Sequence, residues 1–95
     1  MDTIYDLANA LMIKAGKKLS DMSDESFTNL MKDLTKEDLD KIREYLVRDR
    51  DFYKRVLLEE YRKKHPNSFR YKDADERIVK INNKGKLLKT IIDSK

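Results

Sequence analysis

The segment Tyr61-Arg62-Lys63-Lys64-His65-Pro66-Asn67-Ser68-Phe69-Arg70-Tyr71-Lys72 holds five bases, three aromatic rings and no acid. Guanidinium and ammonium groups neutralise phosphates and release their counterions. An exposed Phe or Tyr ring adds a stacking face worth about 1–3 kcal/mol per unpaired base. The candidate phosphate contacts are therefore Arg62, Lys63, Lys64, Arg70 and Lys72, with Phe69 and Tyr71 as stacking rings. An extended Phe69–Lys72 would put both rings on one face and both cations on the other. Lys80, Lys84, Lys86 and Lys89 continue the positive charge, and Lys84 and Lys86 join the candidate contacts at the tip of the hairpin described below. Two other readings compete: Phe69 and Tyr71 fill the core beneath solvated cations, or the cations meet an acidic protein surface.

The net charge of +4 conceals how unevenly it is distributed. Residues 1–30 carry five acids and three bases, and residues 31–60 carry nine acids and eight bases. Residues 61–95 carry four acids and eleven bases, so the whole excess lies in the last third. Such asymmetry points to an anionic partner for the basic end.

Other chemistries find little support. The absence of cysteine excludes disulfides, thiolate metal sites and a Cys nucleophile, and one histidine, His65, supports neither a zinc site nor a Ser-His-Asp set. Two glycines, Gly16 and Gly85, cannot form a phosphate-binding loop. Asp73, Asp75 and Glu76 with Lys80 loosely suit a metal-dependent nuclease, but acids opening a segment more often cap a helix. The expectation is a non-enzyme with no cofactor or metal. The N-terminal apolar run Ala10–Ile13 is far shorter than the roughly 20 residues of a membrane span, and Asp2 and Asp6 sit where an export signal would be basic. A cytoplasmic protein without a membrane partner is expected. Usage rich in Lys, Asn and Ile fits an AT-rich genome such as that of a phage or a low-GC bacterium.

The elements that must position these residues are mainly helical. Ile4, Leu7, Ala8, Leu11, Ala15 and Leu19 have helical spacing, with Gly16 suiting a fraying end. Two similar units follow, twelve residues apart. Ser23 leads to Phe27, Leu30 and Leu34, and Thr35 leads to Leu39, Ile42 and Leu46, each with a hydroxyl cap and first-turn acids. As a helix-turn-helix this pair would present Lys36, Glu37, Asp38 and Asp40 to DNA, and the acids disfavour it. A break is expected near Asp49 or Asp51, before Phe52, Tyr53, Val56, Leu57 and Tyr61 resume the apolar stripe. Pro66 ends the helix, because His65 before it is driven from helical geometry.

Residues 73–95 admit two readings. Arg77–Ile81, the turn Asn82-Asn83-Lys84-Gly85 and Lys86–Ile92 form a β-hairpin pattern, which is the favoured one. The alternative is a helix capped by Asp73 with Ile78, Ile81, Leu88 and Ile92 as its stripe, where Gly85 costs about 1 kcal/mol. Lys63–Lys72 resembles, over about ten residues, the end of the long helix and basic tail of Sox-type HMG boxes. The chain has no Trp and lacks that family's proline and aromatic wedge, so no residue roles are carried over.

The sequence thus describes a mainly α-helical single domain, 1–95, of three to four helices. Residues 3–64 form its helical part and 65–95 a basic C-terminal segment. The functional expectation is a small nucleic-acid-binding accessory or regulatory protein, contacting DNA or RNA phosphates through its basic third. The alternative is a protein-binding inhibitor or adaptor, phage-encoded on one reading, that acts on a larger host or viral machine. It would use the charges from Arg43 to Arg55 or the surplus of Tyr and Met. A core this small also invites homo-oligomerisation.

Overall fold

Local capping accounts for the first three helices. The computed structural model describes residues 3–55, 59, 62–66 and 70–95, and among these no strand is present. Helix α1 spans Thr3–Ala15 and buries Ala8 and Leu11. Gly16 closes it at φ +74°, donating its N–H to the Met12 carbonyl at 2.9 Å, so the end is capped rather than frayed. A single 3-10 turn, η1 (Leu19–Asp21), then sinks Leu19 into the core, with Met22 buried just beyond it.

The repeated capping pattern forms twice. Ser23 accepts a hydrogen bond from Ser26 N at 3.1 Å and opens α2 (Asp24–Met31). Thr35 accepts one from Asp38 N at 3.1 Å and opens α3 (Lys36–Phe52). The fourth residue after each cap, Phe27 and Leu39, is fully buried. Helix α3 passes through the alternating charges at 48–51 without the expected break, all four being half-buried along it. The backbone widens into π-type turns at Tyr53–Arg55 and again at Glu59. A single turn, α4 (Arg62–Lys64), stops before His65 and Pro66.

The C-terminal segment is helical. Helix α5 runs from Arg70 to Asp93, about 36 Å at 1.5 Å per residue, and the β-hairpin favoured by the sequence reading is not formed. The reason is spacing. Ala74, Ile81, Leu88 and Ile91 are buried on one face at heptad intervals, with Ile78 and Ile92 on its half-buried margins. A hairpin would split that face. Fully burying Ile81 and Leu88 contributes about 1.5–3 kcal/mol each, which outweighs the roughly 1 kcal/mol that Gly85 costs a helix. Asn82 and Asn83 lie on the exposed side.

Helix α3 is central, with α1 packed on one flank and α5 on the other, while α2 and η1 also pack on α5. One apolar cluster joins α1, η1, α2, α3 and α5. Among the described residues no helix is long and apolar enough to cross a membrane. Lys95 Nζ donates to the carbonyls of Lys32 and Leu34, tying the far end of α5 to the α2–α3 connection.

Two further a/d-type positions on the buried face of α5 are cations, Arg77 and Lys84. Lys84 is only 6% exposed, and its Nζ reaches Asp24 Oδ1 at 2.8 Å. The aliphatic stem packs inward while the charge emerges beside α2. Removing only the acid leaves that charge unpaired. Asp24→Ala is therefore expected to lower stability by about 1–3 kcal/mol in urea unfolding. Lys84→Met, which keeps the stem and removes the charge, should remain within about 1 kcal/mol of wild type.

Candidate functional site

The structure redistributes the candidate residues. Lys63 and Lys64 are exposed in α4. Arg62, Arg70, Tyr71 and Lys72 have helical backbone, whereas their side chains and all of Phe69 lie outside the described residues. With residues 70–72 helical, the strand-like alternation of rings and cations does not apply to them, since helical side chains step by about 100° rather than reversing. Lys84 is corrected outright: it is buried and paired with Asp24, because helix formation turns a hairpin-tip residue inward. Lys86 is exposed, at a helix face instead of a turn.

Lys86 belongs to a groove of about 380 Å³ between α3 and α5. Arg43 and Arg50 rise from α3, and Lys86 and Lys89 rise from α5. Leu46, Val47 and Ile81 form the apolar floor, with Asn82 and Gly85 completing the α5 side. Among the described residues the lining includes no carboxylate. Arg50 reaches Asp51 at 3.4 Å, and Arg43, Lys86 and Lys89 make no ion pair among the described residues. Sequence reasoning assigned Arg43 and Arg50 to a charged protein-binding run and missed their opposition to Lys86 and Lys89. The signal was present as two stripes at i, i+4, i+7 spacing: Arg43-Val47-Arg50 and Asn82-Lys86-Lys89. Only packing shows that they face each other.

Other cations of the basic third are used internally. Arg77 Nη1 contacts both Asp21 carboxylate oxygens, at 2.7 and 2.8 Å, and Lys80 Nζ lies 3.4 Å from Oδ1. The Arg77 hydrogen bond, with help from Lys80, holds the Asp21 carboxyl below its ordinary range. Lys80 is thus engaged with η1, away from the loosely nuclease-like set of Asp73, Asp75 and Glu76. Among the described residues no three His, Asp or Glu side chains converge as metal ligands.

The opposite flank of α3 is aromatic. Tyr5 and Tyr45 meet edge to face at 5.8 Å between ring centroids, and the Arg48 guanidinium lies 5.6 Å from the Tyr5 ring centre. Together with Asn9, Asp49 and Phe52 they line a second groove of about 280 Å³, where Tyr5 and Phe52 are exposed. Burial pushes the Tyr45 phenol up to about 12, aided by the negative charge of Asp49, and its hydroxyl donates to Met12 Sδ at 3.7 Å. Burial likewise raises the Asp49 carboxyl, against the opposing pull of Lys18 and Arg77.

A scan against protein-family models, a search of curated proteins and a search of solved structures each found no match to this chain. The functional reading therefore rests on geometry and charge.

Asp21 and Tyr45 act at opposite ends of the pH scale. The Asp21 carboxyl has a lowered native pKa, so its stabilisation is present above 3.8 and is lost as pH falls through the native value. Asp21→Asn should cost about 1 kcal/mol at neutral pH. That deficit should shrink toward zero on acidification. Tyr45 in the unfolded chain ionises near 10 but in the native state near 12, so stability should fall across that interval. Denaturant unfolding over a pH series checks both. Tyr45→Phe should flatten the alkaline decline.

Proposed function

We propose that the protein is a small non-enzymatic nucleic-acid-binding accessory or regulatory protein whose phosphate contacts centre on the α3–α5 groove. The observation that carries this reading is the meeting of Arg43, Arg50, Lys86 and Lys89 around one groove that no carboxylate lines among the described residues. Cations from two helices around a shared cleft concentrate positive potential where a polyanion can enter. Lys63 and Lys64, exposed in α4, are further candidate contacts. This refines the expectation drawn from the basic third: Lys86 remains a contact, Lys84 does not, and two arginines from α3 join.

Four phosphate contacts imply a slope of log K against log salt of about −3.6 on duplex DNA or −2.8 on a single strand. The double substitution Lys86→Ala/Lys89→Ala should weaken binding uniformly across sequences and flatten the slope by about 1.4–1.8. Fluorescence anisotropy titrations with labelled DNA and RNA between 50 and 200 mM salt make the measurement. Absence of binding to any of these nucleic acids at about 50 mM salt would overturn the reading.

A second reading, an inhibitor or adaptor that binds another protein, is favoured by the exposed Tyr5 and Phe52 beside Arg48. Aromatic and arginine side chains of this kind dominate interface energetics. That reading requires a stoichiometric protein partner recovered from the native host after nuclease treatment and lost with Phe52→Ala. A partner that dissociates on nuclease treatment counts against it.

A further inference from the structure

Gly85 occupies the interior of a 24-residue helix, where alanine would be more stable by about 1 kcal/mol. Neither backbone nor packing explains it. Among the glycines only Gly16 has a positive φ, and a Cβ built on Gly85 meets nothing within 4 Å. The position faces open space, and that space is the α3–α5 groove, which Gly85 lines beside Lys86. A glycine set against helix propensity beneath a cleft leaves room for the close approach of a ligand backbone.

The surroundings indicate what approaches. The outer side of α3 is mixed in charge, with Asp40 and Glu44 next to Arg43 and Asp51 next to Arg50. A rigid duplex laid across α3 would bring phosphates against those acids. A flexible strand threaded between the helices meets Arg43 and Arg50 on one wall and Lys86 and Lys89 on the other. Beneath it, Leu46 and Ile81 offer an apolar floor for a sugar or base face.

We infer that the groove binds a single-stranded nucleic acid, and that Gly85 is a specificity-determining residue that lets the sugar-phosphate backbone settle onto α5. This inference rests on the nucleic-acid reading proposed above and narrows it to one substrate class.

The experiment uses the full chain with oligo(dT) and oligo(U) strands about 16 nucleotides long, and a duplex of the same length. Gly85→Ala and Gly85→Leu project into the groove from its α5 side and are good helix formers. Both should keep or raise the thermal midpoint while weakening single-strand binding, with the larger Leu costing about tenfold or more in Kd. Circular dichroism of each variant confirms that the helices are intact. Unchanged single-strand affinity in a folded Gly85→Leu overturns the role of Gly85. If Lys86→Ala/Lys89→Ala still loses binding in that case, the nucleic-acid reading survives without it. Duplex affinity equal to or above that for single strands at the same salt overturns the choice of single strands. Absence of binding by the unaltered protein to all three probes overturns both readings together. Tighter binding to oligo(U) than to oligo(dT), or the reverse, supports the inference and tells RNA from DNA.

Discussion

The docking of α5 across α2, α3 and η1 governs the remainder of this structure. Its buried stripe, Ala74, Arg77, Ile81, Lys84, Leu88 and Ile91, keeps heptad spacing, and four of the six positions are apolar. The two cations are accommodated because each finds an acid at the margin of the first third of the chain, Asp21 for Arg77 and Asp24 for Lys84. Apolar burial supplies the attraction, while the ion pairs set the register by placing guanidinium and ammonium groups where carboxylates await them. Without this docking Leu88 and Ile81 would be exposed, and the groove would lose one wall.

The same docking reinterprets the charge asymmetry. A basic third carrying eleven cations looks like a surface made entirely for an external anion. Arg77, Lys80 and Lys84 instead neutralise the acidic first third from within, and Lys95 caps carbonyls beyond α2. Among the described side chains of α5, Lys86 and Lys89 make no ion pair and stand opposite two arginines of α3, a helix whose charge run was read as a protein-binding surface. Helix α3 thereby separates two unlike surfaces, a cationic cleft on its α5 side and an aromatic one on its α1 side.

Much of the helical half was legible in advance. Ser23 and Thr35 cap as expected because a cap needs only a hydroxyl and an amide three residues away. Phe27, Leu39, Ile42 and Leu46 fall in the core because helical periodicity alone puts them on one side. The candidate site was legible only in part. Lys86 was singled out by charge and lines the candidate groove, but Lys84 carries the same charge and is buried, and nothing local distinguishes the two. Arg43 and Arg50 were read as part of an alternating charge run, since their pairing with α5 is a contact between residues some forty positions apart.

Sequence alone determined where α2 and α3 begin, which residues there are apolar enough to bury, and that positive charge collects in the last third. These depend on interactions spanning a few residues, such as caps, periodicity and the exclusion of His65 from helix by Pro66. Tertiary structure decided whether residues 73–95 became helix or hairpin, which cations were consumed internally, and which ones face each other across a groove. Local signals supported both conformations for that segment, with Gly85 costing a helix about 1 kcal/mol, so burial against α2 and α3 tipped the balance. Burial is a property of the whole assembled chain, and the functional surface it leaves exposed is fixed at the same moment as the core.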